Sequence, residues 1–314
     1  MSTSLSLSIV VPTFQREQVL LDTIELLLKQ NPAATELLIV DQSPDHEKDT
    51  LASLESWHRQ GVIRWLKRSE PSIPRSMNYG LLQSRSDIVL FLDDDISISP
   101  NLVGNHLAAY MEYPTAVAVA GQVLQPEEHA EAIVQSCKKV GIHADLGFRF
   151  NSTNGDWVNN VMAGNLSVRR QFAIDAGGFD ENFIGTAYRF ETEFARRLTN
   201  TGEKIRFYPE ATINHLRASR GGTRATGNHL ASADPKHGVG DYYFALNSQV
   251  PKLELLRYLM KRPIREVSTK FHLKHPWFIP VKLLGEWRAF LLARSLIRQG
   301  RKLIRPSVID NEPK

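Results

Sequence analysis

Cysteine is nearly absent from this chain: Cys137 stands alone among 314 residues. A disulfide framework within the chain and a multi-cysteine metal site are therefore excluded. A reducing compartment fits this usage. Long apolar runs are missing as well. No stretch of about 18 uninterrupted apolar residues occurs, so no membrane-spanning helix is expected. The N-terminus, MSTSLSLSIVVPTF, lacks a basic leader, and Pro12 interrupts its apolar run. It reads as a first strand and not as a signal peptide. There is no internal repeat. What remains is ordinary for a globular chain, with 42% hydrophobic and 23% charged residues, enough for one large or two modest domains.

The net charge of +4 conceals an asymmetry. From Pro251 to Arg305 there are fourteen Lys/Arg against three Glu, which leaves the rest of the chain mildly acidic. A basic C-terminal segment implies an anionic partner, either a membrane surface or a polyanion. Its bases are mixed with Trp277, Phe278, Leu283, Leu284, Trp287, Phe290, Leu291 and Leu292. That mixture suits an interfacial helix on anionic lipid, and equally a helix packed on its own domain with its basic face in water. No recognised nucleic-acid-binding motif accompanies the charge, so nucleic acid is not the expected partner. The expected location is cytoplasmic, with peripheral contact on the inner face of the membrane.

The first 125 residues alternate strand-like and helix-like patterns. Apolar runs at Leu5 to Val11, Leu37 to Val40, Val62 to Leu66, Ile88 to Leu92 and Ala116 to Leu124 read as strands. Helical spacing occupies Glu17 to Lys29, His46 to His58, Ile73 to Gln83 and Asn101 to Glu112. This alternation implies an α/β fold with a mainly parallel sheet flanked by helices. About Pro126 to Asp156 the pattern is irregular and suggests an insertion over a cleft. A strand-like run from Trp157 to Leu166, a helix from Arg169 to Ala176, a Gly-Gly-Phe-Asp turn at Gly177, a helix near Arg189 to Thr201 and a strand at Ile205 to Tyr208 follow. Gly221 to Gly240 reads as a loop.

Parallel sheets bind ligands beyond the carboxyl ends of their strands. Pro12, Thr13 and Arg16 follow the first strand, Asp41 the second, and Asp93, Asp94 and Asp95 the fourth. The aspartate triplet is the strongest signal. Three adjacent carboxylates repel one another and must stay hydrated or paired. Asp93 and Asp95 share one side of an extended chain, and hard oxygen ligands suit Mg²⁺ or Mn²⁺. The plainer reading is a solvated acidic turn with Asp95 capping a helix. Placement at the end of a buried strand favours the metal.

These pieces resemble the family 2 glycosyltransferases, which have the GT-A fold. The matching stretches are Val10-Val11-Pro12-Thr13-Phe14-Gln15-Arg16, Leu38-Ile39-Val40-Asp41-Gln42-Ser43, Arg75-Ser76-Met77-Asn78-Tyr79-Gly80 and Phe91-Leu92-Asp93-Asp94-Asp95. Gly164-Asn165, Gly177-Gly178-Phe179-Asp180-Glu181 and Phe190-Glu191-Thr192-Glu193-Phe194 continue the match, which covers about residues 5 to 220. Each piece is weak alone, but their order and spacing together are specific. The resemblance implies that Asp93 to Asp95 is the family's DxD motif. Asp95 would hold the divalent ion, Mn²⁺ or Mg²⁺, and Asp93 would face the ribose or the ion's water shell. Thr13 and Asp41 match positions that hold the nucleotide base and ribose, and Arg75 matches a position near the phosphates. With Pro12, Arg16, Asp94 and Gly164 these form the expected nucleotide-sugar site. Asp41 as a turn residue and Arg75 as a surface helix residue are the bland alternatives.

Inverting transfer needs a base to take the acceptor hydroxyl's proton. In the family this base is the second residue of a Glu-Asp pair that opens a helix. Aligned on Phe194 and Arg197, that position is Glu191. The pair's first residue becomes Phe190, a departure from the pattern. Glu193 is the other candidate. At 3.6 residues per turn the two point about 200° apart, so one helix cannot aim both into a cleft. Glu191 is also explicable as a first-turn acid that favours the helix dipole. His215 matches a place where some GT-A enzymes take a third metal ligand; a satisfied polar residue at a strand end fits as well. Arg217, Arg220 and Arg224, with Gly221-Gly222, suggest either a loop that closes over a diphosphate or a solvated basic loop. Gly164 would admit the donor sugar or merely form a bulge. Asp180 and Glu181 are not expected to be catalytic.

The expected organisation is a GT-A domain over residues 1–225, with a nucleotide half to about 125 and an acceptor half beyond, then a basic, partly helical extension over 226–314. The expected activity moves a sugar from a nucleotide-diphosphate sugar to a glycan or lipid-linked acceptor. A nucleotidyltransferase would want glycines in the loop Pro12 to Arg16, which has none. A binding protein that has lost its base stays open because of Phe190. A processive synthase is not expected, since the chain has no Gln-x-x-Arg-Trp motif.

Overall fold

A computed structural model describes residues 5–133, 141–223 and 228–305. Cys137 and Arg224 lie outside the described residues. The chain alternates β1 (Leu7–Thr13), α1 (Gln18–Leu28), β2 (Glu36–Asp41), α2 (Lys48–Arg59), β3 (Arg64–Lys67), α3 (Ile73–Gln83) and β4 (Ile88–Leu92). Then come β5 (Ile96–Ile98), α4 (Leu102–Glu112), β6 (Ala116–Leu124), β7 (Asp156–Val158), β8 (Asn165–Arg169), α5 (Arg170–Asp175), α6 (Phe190–Asn200) and β9 (Lys204–His215). Four helices end the chain: α7 (Val239–Asn247), α8 (Lys252–Val267), α9 (Lys270–Lys274) and α10 (Phe278–Gln299).

The strands form one sheet in the order β3-β2-β1-β4-β8-β6-β9-β5, with β7 on β9. The first four run parallel, β8 runs antiparallel to β4 and β6, and β9 is parallel to β6. This is the mixed, mainly parallel α/β sheet that the alternation implied. β1, β2 and β4 are apolar almost throughout because helices cover both faces. Alternate residues feed two separate cores: Val10, Leu38 and Phe91 point to one side, Ile9, Ile39 and Leu90 to the other.

The run from Trp157 to Leu166 is not one strand. It divides into β7, which pairs with β9, and β8, which starts at Asn165. Apolar character cannot tell one strand from two that face different neighbours. β9 is longer than Ile205 to Tyr208, since it continues past an irregularity near Gly121 and Gln122 of its partner to His215. β5 gives too short an apolar signal to be read from sequence.

α3 lies close on the sheet. A Cβ on Gly80 would sit 2.3 Å from Val10 Cγ1, and Val10 is a β-branched residue fixed in a buried strand. Gly80→Ala, which gains about 1 kcal/mol in an unconstrained helix, is expected here to destabilise by about 1–3 kcal/mol. Chemical denaturation measures the sign directly.

The Gly-Gly-Phe-Asp turn is a structural clasp. Gly177 and Gly178 have φ of +85° and +61°. A Cβ on Gly178 would strike Ile304 and Asn78, while Asn78 exchanges two hydrogen bonds with the Phe179 backbone. Asp180 accepts from Tyr243 and from the Lys302 backbone, which ties the C-terminal residues down. α7 and α10 share the core of the sheet domain through Tyr243, Phe244, Ala289 and Ala293. Among the described residues no helix is long and apolar enough to cross a membrane.

Candidate functional site

A cleft of about 710 Å³ opens at the carboxyl ends of the strands, within the usual range for a small-molecule site. Pro12, Thr13 and Arg16 line it beyond β1, Asp93 to Asp95 beyond β4, and Gly164 just before β8. Glu191 and His215 complete the wall. The local reason for the triplet is topological. β4 is buried to its last residue, and the chain must emerge where the sheet ends. It then re-enters the sheet as β5, where Ile96 pairs with His215 of β9. Asp95 therefore leads into a strand and caps no helix.

That pairing brings His215 onto the triplet. Its Nε2 lies 3.2 Å from Asp95 Oδ1 and 3.8 Å from Asp93 Oδ2. Its Nδ1 lies 3.1 Å from Gln125 Oε1. The same oxygen accepts from Arg217 Nε at 2.9 Å, so it is an acceptor and Nδ1 is the donating nitrogen. Nε2 is thereby turned to the carboxylates. The hydrogen bond to Asp95 raises the His215 pKa despite its burial.

The three aspartates have different environments. Asp94 is buried, and burial pushes its carboxyl up to about 7 against the opposing charge of Arg16. Asp95 is also buried, but its bonds to His215 and the Ala218 N–H and the charge of Arg16 outweigh burial and hold its pKa below the ordinary value. Asp93 is half-exposed. Arg16 is itself enclosed. Its Nε meets Asp94 at 3.2 Å, its Nη2 meets Asp95 at 3.2 Å, and its Nη1 donates to the carbonyls of Ala218 and Arg220. Its guanidinium thus joins the acidic corner to the following loop and does not project into open space.

That loop is held closely. Gly222 N donates to Phe14 O at 2.8 Å, and Ala218 N donates to Asp95 Oδ2 at 2.8 Å. Gly221 has φ +78°, and a Cβ there would meet Gln15 O at 2.3 Å. The glycine pair therefore serves close backbone packing against the end of β1. Arg217 lines the cleft, whereas Arg220 is exposed and paired with Glu47.

Gly164 has a specific neighbour. A Cβ there would lie 2.1 Å from Asp93 Oδ2. Asn165 beside it is fully buried, donating to the carbonyls of Gln122 and Ala211 and meeting His106. Burial drives the His106 pKa down to about 4, so this histidine is a neutral core residue.

α6 presents Glu191 from its first turn. Phe190 is buried against Phe179, which packs on Phe91 of β4. The aromatic residue in place of the family's first acid thus anchors the helix to the strand that carries the aspartates. Glu193 is buried away from the cleft lining, with Arg197 at 3.0 Å and Arg301 at 3.6 Å.

Two expected residues stand outside the cleft lining. Asp41 is buried, accepting from His46 at 2.8 Å, Trp65 Nε1 at 3.0 Å and Ser43 N at 2.8 Å. Burial raises its pKa, but the bonds to His46 and Ser43 more than offset that and the net shift is downward. Arg75 is paired with Glu70 and lies 3.6 Å from Glu181. Sequence reasoning missed Gln42, Gln125 and Met162, all of which line the cleft. Gln42 and Gln125 each directly follow a strand, so the rule that found the aspartates applies to them too.

The donors fit a divalent ion. Two carboxylates and an imidazole suit Mn²⁺ or Mg²⁺, and their 3.2 and 3.8 Å separations are near the roughly 3 Å between neighbouring ligands of such an ion. As they stand, no three or more acidic, histidine or cysteine side chains among the described residues are arranged to hold a metal ion by themselves. The site would supply part of a coordination shell, leaving the rest to phosphate and water, as is usual for ions that accompany phosphates.

The family model for Glycosyl transferase family 2 matches residues 8–177. The poly(ribitol-phosphate) beta-N-acetylglucosaminyltransferase TarP of Staphylococcus aureus is 34% identical over 307 residues, covering 94% of this chain and 80% of that protein. Among solved structures, S. aureus TarS 1-349 in complex with UDP-GlcNAc superposes with a TM-score of 0.59 at 17% identity, over 97% of this chain and 83% of that one. This chain spans 44% of the longer TarS structure. The mannosyltransferase PcManGT from Pyrobaculum calidifontis, in complex with GDP-Man and Mn²⁺, superposes with a TM-score of 0.55 at 16% identity, over 95% and 80% of the two chains. The structural likenesses establish the GT-A fold. The family match covers just over half of the chain, and with a 34%-identical relative aligned along nearly all of it, the chain belongs to the family 2 glycosyl transferases and is a glycosyltransferase.

Proposed function

We propose that the enzyme is an inverting, metal-assisted transferase that moves a sugar from a nucleoside-diphosphate sugar to an acceptor hydroxyl in polysaccharide or glycoconjugate assembly. The observation that carries this reading is the meeting of Asp93, Asp95 and His215 in the same cleft that Glu191 lines. UDP-GlcNAc bound to TarS, and GDP-Man with Mn²⁺ bound to PcManGT, support the donor class and the ion.

Asp95, Asp93 and His215 would hold a Mn²⁺ or Mg²⁺ ion. Such an ion supplies Lewis-acid neutralisation of the charge that develops on a departing diphosphate. Gln125 orients His215 by accepting from Nδ1, the kind of outer support on which ligand imidazoles depend. Arg16 offsets the charge of Asp94 and Asp95 and so allows the acids to crowd at a strand end. Pro12 and Thr13 flank the nucleotide, and Gly164 leaves room beside Asp93. Asp41 would reach a ribose only by releasing a bond to His46 or Trp65, and Arg75 would reach phosphate only by leaving Glu70. Glu191 takes the acceptor proton as the hydroxyl attacks the anomeric carbon from the face opposite the leaving group.

A panel of UDP-, GDP- and dTDP-sugars, assayed with and without EDTA, tests the reading. Metal-dependent release of a nucleoside diphosphate, with inverted anomeric configuration by NMR, is expected. A retained configuration, or activity indifferent to EDTA, would contradict it.

Gly164→Ala provides a local test. The added methyl displaces the Asp93 carboxylate, which has no room to keep its place. The metal concentration giving half-maximal activity is expected to rise about tenfold, the lower end of effects seen when a ligand's support is disturbed. Asn165 and its network do not move, so the melting temperature should change little.

A further inference from the structure

We propose that the outward face of α8–α10 is a docking surface for an anionic lipid bilayer. α8 carries apolar residues on both of its sides, with Leu255 and Leu259 packed inward on the domain. Its inward side carries Tyr258 and Arg262, both buried and both bonded to Asp241 of α7, at 2.8 and 2.7 Å. Arg262 also pairs with Glu286 of α10. Its outward side carries Leu253, Leu256, Met260 and Ile264, which are 54–63% exposed. At 100° per residue these four fall within an arc of about 80° opposite Arg262. A helix packed on a domain in water normally keeps its outer side polar. A continuous exposed apolar stripe marks a surface that something covers.

The stripe does not end with α8. Leu273 of α9 is 83% exposed, Trp277 before α10 is 63% exposed, and Trp287 on α10 is 58% exposed. Leu284 and Leu291 share the exposed side of α10 with Trp287, one and two turns apart. The inward side of α10 instead buries Glu286, Ala289 and Ala293.

Charge identifies the occupant. The three acids of this segment are all engaged inward. Glu254 accepts from Ile142 N, Glu266 pairs with Lys282 and Arg265, and Glu286 is buried with Arg262 and Lys282. Lys252, Arg257, Lys261, Lys274, Arg288 and Arg294 are exposed around the stripe. The face is therefore apolar and cationic, with no exposed acid among its described residues. A second copy of the same face would oppose like charges, and a polyanion in water would leave the apolar stripe uncovered. An anionic bilayer satisfies both features: apolar side chains and tryptophans enter the headgroup–acyl boundary while the bases meet acidic head groups. No helix here needs to span it.

Vesicle flotation tests this with the full chain. Vesicles of phosphatidylcholine alone are compared with a phosphatidylcholine–phosphatidylglycerol mixture. Each basic residue near an anionic surface strengthens binding about fivefold, so at least a tenfold preference for the mixture is expected, weakening as salt shortens the screening length. The double variant Met260→Glu/Ile264→Glu alters only exposed positions. It should lose flotation while keeping its melting temperature and its hydrolysis of donor in solution, a readout independent of the bilayer. The proposal fails if the parent does not float with the anionic vesicles, or if the double variant floats equally well. It also fails if sedimentation shows an oligomer of the parent that the double variant dissolves, because a second copy would then be what covers the stripe.

Discussion

Glu191→Gln is expected to lower kcat about 10³-fold, in the middle of the range for loss of a general base, with donor KM nearly unchanged. The amide keeps the size of the carboxylate and cannot accept a proton at neutral pH. Glu191 lines the cleft from the first turn of α6, and its neighbour Phe190 fixes that turn against Phe179. A purely dipolar role for Glu191 would cost only about 0.3–1 kcal/mol of stability and would leave kcat intact. Glu193→Gln is the matched control. It disturbs a buried pair with Arg197 and should lower the melting temperature while turnover survives. Steady-state kinetics on both variants separates the roles. Turnover of Glu191→Gln within tenfold of the parent would remove Glu191 from the mechanism.

Asp95→Asn is the second large effect. Losing the carboxylate that would hold the ion would forfeit Lewis-acid neutralisation of the departing diphosphate, worth several kcal/mol, and about 4 kcal/mol corresponds to 10³-fold in rate. Asp95 also receives Ala218 N and Arg16. The amide cannot satisfy both donors as well, so the loop over Gly221 should loosen too. The distinguishing measurement is thermal shift. A ligand that binds only the folded state raises its melting point. Mn²⁺ with UDP or GDP should therefore stabilise the parent well beyond nucleotide alone, and that increment should vanish in Asp95→Asn. An undiminished increment would mean that the ion, if bound, sits elsewhere.

The site was legible in proportion to how local its signals were. The triplet stood out because a buried strand of five apolar residues runs directly into three acids, a contrast that needs no knowledge of partners. His215 was evenly balanced between ligand and structural residue, because its proximity to Asp95 depends on the pairing of Ile96 with a residue more than a hundred positions away. Gln125 was missed for the same reason, since its role appears only when His215 and Arg217 reach it. Phe190 looked like damage to a motif. In the fold it is the hydrophobic anchor of the helix that carries Glu191.

Sequence periodicity and order by themselves determined the α/β class, most strand and helix positions, and the edge of the sheet where the polar residues gather. These follow from short-range facts: which side chains share a face, and where an apolar run ends. Tertiary structure alone decided which polar groups are free to meet a ligand and which are already engaged. Arg16, Asp41 and Arg75 read alike as cleft residues, yet each is already engaged: Arg16 with Asp94, Asp41 with His46 and Trp65, and Arg75 with Glu70 and Glu181. It also decided that α8 turns Arg262 inward and Leu253 and Leu256 outward. A helical pattern specifies two opposite faces. Which one is buried depends on the ion pairs that wait on the neighbouring helices.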